Sequence, residues 1–466
     1  MTDLKLDLPP AFIRSVSRLL DGETERFLHS YEEPRSYGLR INRLKVAEGH
    51  PMEAKLVSQF GLQPVPWCPD GYRYEEATRP GRHVYHAAGL YYIQEPSAMI
   101  AAELLDPQPG ETVLDLAAAP GGKTTQLAAL MRGKGLLVAN EIHPARAKIL
   151  SENVERLGIT NAVVTQASPQ ELSARFPEAF DRVLLDAPCS GEGMFRKDPD
   201  AVREWSPEAV EACAARQRDI LPHAASMVKP GGKLLYSTCT FNTLENEETI
   251  ADFLSRFPEF RLHREERMWP HLGQGEGHYA ALLIKDGGGA SQTPHSEPGR
   301  RGSSPPRKTK GGKTPESSSF PSYVAFAEES LPGFTLPAYG QPLVFGDALY
   351  WLPVPPGSPI TPDSLRGLKV PRPGLHLGDL RTGGRFEPNH ALAIAVPVYA
   401  ARLSEDFAAD SPEAAAYWHG ETLPAPQGAK GWGLAAVDGF PLGWVKASDG
   451  QYKNRLPKGL RSLYVN

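Results

Sequence analysis

Short apolar runs alternate with longer amphipathic stretches between residues 96 and 285, and this pattern predicts a parallel sheet with helices on both faces. The runs that are typical of buried strands are Thr112–Leu116, Gly135–Asn140, Ala162–Gln166, Arg182–Asp186 and Lys233–Ser237. Helical periodicity is seen over Lys123–Met131, Ala145–Leu157 and Pro207–Met227. A doubly wound α/β sheet binds its ligands at the carboxyl ends of its strands, so we expect functional residues directly after the predicted strands.

The flanking segments have different patterns, and the chain divides into five regions. Residues 1–95 combine an amphipathic helix around FIRSVSRLL with short strands such as SYGLRINRLK, which predicts an α+β module. Residues 96–285 form the predicted doubly wound core. Residues 286–319 have almost no apolar side chains and cannot offset the entropy cost of folding, which predicts a linker. Short apolar runs among many Pro and Gly residues predict two β-rich modules, over 320–400 and 401–466.

Composition shows where the charge of the molecule lies. The 466 residues include 44 Gly and 45 Pro, an excess partly concentrated in the linker, and the net charge is −5. This balance excludes a uniformly basic protein that coats nucleic acid, but it permits basic patches on separate regions. The linker has six Lys and Arg against three Asp and Glu, and residues 425–466 have six against two. A solvated tether is the simpler interpretation of the linker, and an arm that touches nucleic acid is the alternative.

Cysteine usage and hydropathy bear on the cellular compartment. The four cysteines include no C-x-x-C pair, which argues against a zinc ribbon and against a disulfide framework. No run of 18 apolar residues occurs, and the N-terminus lacks the pattern of a signal peptide. We therefore expect a reduced, cytoplasmic, monomeric protein with no membrane segment and no bound metal.

The loop after the first predicted strand, LAAAPGGKT, has the small residues that let a ligand approach backbone N–H groups at a helix N-terminus. One interpretation is the phosphate-binding loop of an NTPase, with the acidic strand ending at Asp186. That pattern requires glycine at position 117, where this chain has Ala117. The other interpretation is a nucleoside pocket, which predicts an acidic residue after the second strand to bind ribose hydroxyls. Glu141 is at that position.

Two cysteines follow neighbouring predicted strands. Cys189 lies in DAPCSGEGMFRKDP, after the strand that ends at Asp186, and Cys239 lies in YSTCTF, after the next strand. A lone cysteine after a strand is commonly a packing residue. Two of them beside Asp186, at the edge where such a fold binds its ligand, are harder to explain by packing alone, so both are candidates for chemistry. Cys68 and Cys213 have no such setting, and we assign them to structure.

The motifs DLAAAPGGKTTQLA, DAPCSGEGMFRKDP and YSTCTF together resemble those of the S-adenosylmethionine-dependent RNA cytosine-C5 methyltransferases of the RsmB, RsmF and NSUN family. SYGLRINRLK and GLYYIQEPSA resemble the RsmF type, which modifies 16S ribosomal RNA. GFPLGWVKASDGQYKNRLPKGLR resembles the end of a PUA-like RNA-binding domain. The resemblance implies a Rossmann-like methyltransferase core that makes 5-methylcytosine in 16S rRNA, with tRNA as the alternative substrate. A P-loop NTPase and a non-catalytic RNA-binding protein are the alternatives from other classes.

The resemblance also implies roles for particular residues. It assigns Cys239 as the nucleophile that adds to carbon 6, Cys189 as the residue that helps to release the product, and Asp186 as the partner of the N3/N4 edge of the base. The implied S-adenosylmethionine site consists of Ala117, Ala118, Ala119, Pro120, Gly121, Gly122, Lys123, Glu141 and Asp186. The family commonly has an acid near the adenine after the third strand, but this chain has Ser168 there. Adenine contacts through Ser168 or through the backbone are both open.

Contacts with RNA are predicted from the positions of cations. Arg196 and Lys197 follow the first cysteine loop and could meet phosphates, and a surface ion pair with Asp198 or Asp200 is the alternative. Cations interleave with aromatic residues near the C-terminus, where the predicted RNA contacts are Lys453, Arg455 and Lys458. The expected partner is ribosomal RNA or the small ribosomal subunit.

Overall fold

The computed structural model of the chain describes residues 7–287 and 316–461. The predicted linker, 286–319, therefore lies mostly outside the described residues, and a helix begins at Glu316, inside the predicted end of the linker. Within the two described ranges, no helix is long and apolar enough to cross a membrane.

The N-terminal module is a four-stranded antiparallel sheet with small helices, which confirms the α+β prediction. Its elements are α1 (Pro10–Leu19), α2 (Thr24–His29), β1 (Gly38–Ile41), α3 (Pro51–Phe60), β2 (Gln63–Val65), β3 (Cys68–Arg73), α4 (Val84–Ala87) and β4 (Tyr91–Ile93). Helix α1 buries Phe12 and Val16, which share a face at i, i+4 spacing. They pack with Phe195 and Trp205 of the next region, so the first helix is anchored on the core.

The core is a twisted sheet whose central five strands are parallel, as the sequence pattern predicts. Its elements are α5 (Ile100–Leu105), β5 (Thr112–Asp115), α6 (Gly122–Leu130), β6 (Leu136–Asn140), α7 (Pro144–Arg156), β7 (Ala162–Gln166), α8 (Pro169–Arg175), β8 (Phe180–Asp186), α9 (Pro199–Glu204), α10 (Pro207–Ser226), β9 (Val228–Thr238), α11 (Glu247–Arg256), β10 (Phe260–Met268) and β11 (His278–Lys285). The order is β10-β11-β9-β8-β5-β6-β7, with β10 and β11 antiparallel to their neighbours. Apolar side chains cover both faces of the sheet, so the doubly wound prediction is confirmed.

The C-terminal part contains two small sheets, which confirms the prediction of β-rich modules. Its elements are α12 (Glu316–Ser330), β12 (Gln341–Phe345), β13 (Ala348–Leu352), α13 (Pro362–Leu365), β14 (Lys369–Arg372), β15 (Leu375–Arg381), β16 (Arg385–Pro388), α14 (His390–Ala395), β17 (Ser404–Phe407), α15 (Pro412–His419), β18 (Leu423–Pro424), β19 (Gly431–Val437), β20 (Phe440–Ser448) and β21 (Gln451–Asn454). Strand β14 leaves these sheets and pairs antiparallel with β7 at the edge of the core sheet. The first C-terminal module is thus joined to the core by backbone hydrogen bonds.

The last module folds back onto the first. The Tyr85 hydroxyl donates a hydrogen bond of 2.5 Å to a carboxylate oxygen of Asp438, and the Lys55 ammonium lies 3.1 Å from the same oxygen. Apolar side chains of α3, α4 and β4 share one buried cluster with those of α15, β19 and β20. The modules at the two ends of the chain therefore pack against each other beside the core.

Candidate active site

Four loops meet at one edge of the core sheet because the carboxyl ends of its parallel strands share that edge. Asp115 ends β5, Glu141 directly follows β6, and Asp186 ends β8. In the register of β8 and β9, Asp186 lies opposite Ser237, so the chain segments that follow these two strands start side by side. Cys189 and Cys239 are in these two segments.

The two cysteine thiols are in contact. The Sγ atoms of Cys189 and Cys239 are 3.3 Å apart, and the backbone N–H of Cys239 donates a hydrogen bond of 3.4 Å to the Cys189 sulfur. Both side chains are half-buried. The hydrogen bond between the thiols, followed by burial, holds the pKa of Cys189 well above its ordinary value. Cys189 therefore keeps its proton and can donate it as a hydrogen bond to the Cys239 sulfur.

Two glutamates that sequence analysis missed fix these cysteine loops. Glu192 accepts hydrogen bonds from the backbone N–H groups of Phe241 and Asn242 at 2.7 and 3.0 Å, which ties the first loop to the second. Glu245 accepts from the backbone N–H of Ser190 at 3.0 Å and also from the Ser190 hydroxyl. Both glutamates are buried, and each links one loop to the other. An acidic residue within a cysteine motif was the only sequence signal, and it does not distinguish a loop clamp from a surface carboxylate.

Asp186 lies beside the thiol pair and is held by the loop after β5. One carboxylate oxygen lies 2.8 Å from the Lys123 ammonium, and the other accepts a hydrogen bond of 2.8 Å from the Ser237 hydroxyl. Burial acts to raise the pKa of Asp186, but its neighbours, Lys123 foremost and the Ser237 hydroxyl among them, together outweigh burial, and the pKa lies below its ordinary value. Asp186 is therefore a carboxylate, which accepts hydrogen bonds and donates none.

The loop after β5 forms the floor of the open space at this edge of the sheet. Gly121 has φ of +114°, a left-handed conformation that favours glycine, and a Cβ on Gly122 would lie 3.3 Å from the Tyr92 ring. Asp115 is buried and accepts a hydrogen bond of 2.6 Å from the Thr124 hydroxyl, and burial raises the pKa of Asp115 to about 7. Its other oxygen has no hydrogen-bond partner among the described residues. The loop presents small residues, Ala117, Ala118, Ala119 and Gly122, to the cavity, as a cofactor loop requires.

Two cavities join at this floor. One, of about 240 Å³, lies between the N-terminal module and the core, and the other, of about 920 Å³, extends towards the ends of β6 and β7. Both are lined by Ala117, Ala119, Asp186, Met194 and Cys239. A small molecule in the larger cavity and a group entering the smaller one would therefore meet at Asp186 and Cys239.

The larger cavity contains the residue predicted to bind ribose. Glu141 is buried, lies 3.2 Å from the Arg146 guanidinium, and accepts a hydrogen bond of 3.0 Å from the backbone N–H of His143. Ser168 instead forms a capping box at the start of α8, in which its hydroxyl and backbone N–H are both bonded to Glu171. Ser168 is therefore engaged by its own helix, and the apolar walls near this end of the cavity are Ile142 and Pro169.

Two neighbouring cations after the first cysteine loop have opposite environments. The Arg196 side chain is 7% exposed, and its guanidinium lies 2.7 Å from Glu276 and donates a hydrogen bond of 2.6 Å to the Ser30 carbonyl. The prediction that Arg196 meets RNA phosphates is therefore wrong, because its donors are used inside the protein. The alternative prediction was an ion pair of Arg196 with Asp198 or Asp200, and in the structure its partner is Glu276 instead. Lys197 is exposed and lines the smaller cavity.

The remaining predicted residues lie far along the chain from the cysteine loops. Lys453, Arg455 and Lys458 are exposed on and after β21, and the Arg455 guanidinium lies 5.5 Å from the centre of the Trp432 ring. The Cys68 thiol is buried and donates a hydrogen bond of 3.2 Å to Glu103, in keeping with a structural residue.

Comparison with known proteins accounts for this architecture. Sequence models match the N-terminal domain of 16S rRNA methyltransferase RsmF over residues 8–96 and 16S rRNA methyltransferase RsmB/F over 102–284. Two more match the RsmF rRNA methyltransferase first C-terminal domain over 325–396 and the methyltransferase RsmF PUA domain over 404–462. The NTPase interpretation of the β5 loop is therefore wrong, because the loop lies within a methyltransferase region.

Individual relatives extend over nearly the whole chain. Ribosomal RNA small subunit methyltransferase F of Shewanella loihica is 34% identical, over 96% of this chain and 94% of its own length. The protein of the same name from Klebsiella pneumoniae is 33% identical, over 99% and 98%.

Solved structures share the fold of about 60% of the chain. A methyltransferase homolog protein from Pyrococcus horikoshii has a TM-score of 0.51 and 29% identity, over 60% of this chain and all of its own. NSun6 from the same organism, solved with the S-adenosylmethionine analogue SFG, has a TM-score of 0.54 and 21% identity over 60% and 99%. With relatives matching along almost its entire length and all four domain models in order, the chain belongs to the RsmF family of 16S rRNA methyltransferases, whose methyl donor is S-adenosylmethionine.

Proposed function

We propose that this chain methylates carbon 5 of a cytosine in 16S ribosomal RNA, with Cys239 as the nucleophile and Cys189 as the residue that assists release of the product. The observation that carries the proposal is the pair of thiols 3.3 Å apart, of which Cys239 lines both cavities together with Asp186 and Cys189 lines the larger one. A single nucleophile would need only one cysteine. A reaction that both forms and breaks a bond to sulfur gives the second one a role.

The chemistry of the ring explains the need for a thiolate. Carbon 5 of cytosine is a poor nucleophile until Cys239 adds to carbon 6. The Cys239 thiol gives up its proton as the S–C6 bond forms, the electron pair of the C5=C6 double bond moves through the ring towards N3, and N3 takes up a proton, so that the addition leaves the number of protons unchanged. Asp186, a carboxylate, accepts hydrogen bonds from the N3 and N4 edge and offsets the charge that develops there. S-adenosylmethionine, when bound, supplies the methyl group to the activated carbon 5.

Release of the product reverses the addition. Solvent takes the proton from carbon 5, the electron pair of that C–H bond restores the C5=C6 double bond, the S–C6 bond breaks and the sulfur leaves as a thiolate, and N3 returns its proton to solvent. Cys189 remains a thiol because of its raised pKa, so it can donate a hydrogen bond to the departing Cys239 sulfur. A hydrogen bond to an ionised acceptor is stronger than one between neutral groups, which favours departure.

The loop after β5 lies where the two cavities meet, and it fits the methyl donor. We assign Ala117, Ala118, Ala119, Pro120, Gly121 and Gly122 to its methionine and ribose, Glu141 to its ribose hydroxyls, and the paired side chains of Lys123 and Asp186 to the border with the base. The positive φ of Gly121 lets the chain turn into α6, a side chain at Gly122 would crowd the Tyr92 ring, and Glu141 is a buried acceptor on the wall of the larger cavity. Ile142, 51% exposed, and Pro169 offer apolar surface for the adenine.

The RNA is expected to cross several regions of the chain. Lys197 is at the mouth of the smaller cavity, and Lys453, Arg455 and Lys458 form an exposed basic surface on the last module. We assign 1–95 to substrate positioning, 96–285 to catalysis, 286–319 to a basic linker, and 320–400 and 401–466 to RNA capture. Because the cysteine pair lies inside a cavity, the target base must leave its stack to reach Cys239.

The test is chemical mapping combined with cysteine variants. Bisulfite sequencing of ribosomal and transfer RNA from cells with and without the gene should show one or more cytosines of 16S rRNA that lose their 5-methyl group. With purified protein, Cys239→Ala should abolish both methyl transfer and the covalent RNA adduct, whereas Cys189→Ala should accumulate the adduct because elimination stalls. Cys68→Ala is the matched control and should retain turnover. Equal adduct from the Cys189 and Cys239 variants would overturn the assignment of roles, and an unchanged 16S rRNA would overturn the substrate.

A further inference from the structure

His278 lies at the base-binding end of the smaller cavity, although no sequence motif pointed to it. It is the first residue of β11, and the register of β11 with β9 pairs the next residue, Tyr279, with Thr238, directly before Cys239. Gly277 has φ of +122°, and a Cβ there would collide with the Phe241 ring, so the backbone before His278 is held in one conformation. The register therefore places His278 next to the segment that carries Cys239.

The His278 imidazole is buried and incompletely bonded. Its side chain is 3% exposed, and its Nε2 atom lies 4.0 Å from the Asp186 carboxylate, beyond hydrogen-bond length. Nε2 has no hydrogen-bond partner among the described residues. Lys123, Asp186, Cys239 and His278 line the same cavity of about 240 Å³. A buried polar atom without a partner is unfavourable, so its presence at this wall indicates a group completed by a ligand.

The protonation state of His278 decides what it can do. Burial, followed by the nearby Lys123 ammonium, lowers the pKa of His278 to about 3. The ring is therefore neutral at physiological pH, and one of its nitrogens is an acceptor. A neutral imidazole can accept a hydrogen bond from an amino group, which a charged one cannot.

The two oxygens of the Asp186 carboxylate have different neighbours, and this difference orients the base. The Lys123 ammonium lies 2.8 Å from one carboxylate oxygen and can only donate, so it must meet an acceptor of the pyrimidine edge, which in cytosine is O2 or N3 and not the N4 amino group. The other carboxylate oxygen faces His278. N3 lies between O2 and N4 on this edge, so the N4 amino group falls on the His278 side. The 4.0 Å between Nε2 and the Asp186 oxygen lets both atoms lie about 2.9 Å from one amino nitrogen.

We propose that His278 Nε2 accepts a hydrogen bond from the N4 amino group of the target cytosine and is a specificity-determining residue for cytosine against uracil. The inference rests on the proposed cytosine-C5 activity. Uracil has an oxygen in place of the amino group, so the Asp186 oxygen and the imidazole would both face an acceptor. Cytosine instead supplies two N–H bonds for these two acceptors.

The experiment pairs a change in the protein with the deletion of one group from the base. The substrate is a fragment of 16S rRNA that contains the mapped cytosine, prepared once with cytidine and once with the 2-pyrimidinone ribonucleoside, which lacks the 4-amino group. The variants are His278→Phe, which has a ring of similar size and no acceptor, and His278→Gln, which retains an amide acceptor. We measure the second-order rate constant of Cys239 adduct formation on both substrates, and binding of S-adenosylhomocysteine reports on folding of the site.

With cytidine, His278→Phe should lower the rate constant about 10- to 100-fold, which is typical of leaving a buried donor unpaired, and His278→Gln should recover part of the loss. With 2-pyrimidinone, His278→Phe should change the rate constant less than about threefold, because the group that His278 contacts is already absent. His271→Phe replaces another buried histidine, bonded to Glu23, and should affect both substrates equally. Affinity for S-adenosylhomocysteine should be unchanged in the His278 variants.

Two outcomes overturn the inference without touching the proposed function. One is an equal loss on both substrates in His278→Phe, which indicates a packing role, and the other is no loss on either. If the unmodified protein forms no 5-methylcytosine and no adduct with the cytidine substrate, the proposed function itself fails and this inference fails with it.

Discussion

Replacing Arg196 by methionine should destabilise the contact between the N-terminal module and the core. From the sequence alone, this arginine was predicted to contact RNA phosphates. The Arg196 guanidinium pairs with Glu276 at 2.7 and 3.1 Å and donates to the Ser30 carbonyl at 2.6 Å. Glu276 in turn accepts a 2.5 Å hydrogen bond from the Ser36 backbone N–H. The Arg196 and Glu276 side chains are 7% and 3% exposed, so removal of the cation leaves a buried, uncompensated carboxylate.

The expected magnitude follows from that burial. Breaking a buried ion pair on one side costs about 3–5 kcal/mol, and at roughly 2 °C per kcal/mol for a chain of this size the melting temperature should fall by about 6–10 °C. Lys197→Met is the matched control, because this side chain is adjacent in sequence but exposed. It should leave the melting temperature within about 1 °C and should lower RNA affinity, with a salt slope smaller by about 1.

Differential scanning calorimetry and filter binding at several salt concentrations measure both quantities. The double variant Arg196→Met with Glu276→Leu should recover much of the lost stability, because it removes the stranded carboxylate together with the cation. A stable Arg196→Met protein with weakened RNA binding would refute this reasoning and restore the phosphate-contact hypothesis.

Two further predictions concern the junction with the C-terminal part and the cysteine loops. Glu155 of α7 lies 2.9 Å from the His390 imidazole and 3.2 Å from the Arg372 guanidinium, both in the C-terminal part. Although burial opposes it, these two groups lower the pKa of Glu155 to about 2, from an ordinary value of 4.5. Ionised Glu155 therefore adds about 2–3 kcal/mol to the free energy of unfolding above pH 4.5, and this contribution is lost as the pH falls through 2. In urea titrations, Glu155→Gln should lower the free energy of unfolding by the full amount at pH 7 and by less below pH 4.5. An equal deficit at pH 3 and pH 7 would contradict the assignment. A Cβ on Gly193 would lie 2.7 Å from the Gly277 carbonyl oxygen and 3.0 Å from that of Cys239, so Gly193→Ala should lower kcat about 100-fold with S-adenosylhomocysteine affinity retained. Gly459→Ala, which has open space, is the control, and full activity in Gly193→Ala would show that the loop tolerates displacement.

Local sequence pattern was sufficient for the five parallel strands of the core and for three of its helices, α6, α7 and α10. The predicted strand Ala162–Gln166 is β7 with the same bounds, and the predicted helix Ala145–Leu157 is shifted by one residue at each end. These elements are buried on the faces that their periodicity indicates, so local pattern and tertiary packing agree. The same pattern was less informative at the edges. The antiparallel strands β10 and β11 and the pairing of β14 with β7 depend on partners distant in the chain.

For the polar residues of the site, the sequence predicted which residues lie near each other, but not which of them are in contact. Strand ends in a parallel sheet share one edge, so the sequence alone placed Asp186, Cys189 and Cys239 in one neighbourhood. Whether the thiols touch depends on loop conformation, which Glu192 and Glu245 fix through contacts 49 to 55 residues apart. Long-range contacts of this kind leave no periodic signal in the sequence.

The sequence by itself determined the fold class, the order of the modules and the loops that carry the chemistry, because these follow from hydrophobic periodicity and from motifs that are contiguous in the chain. Only the tertiary structure decided that Arg196 is buried rather than free for RNA, that Ser168 caps a helix, and that His278 faces Asp186. The physical reason is that the function of a polar side chain depends on which groups surround it, and here those groups come from segments that are far apart in the sequence.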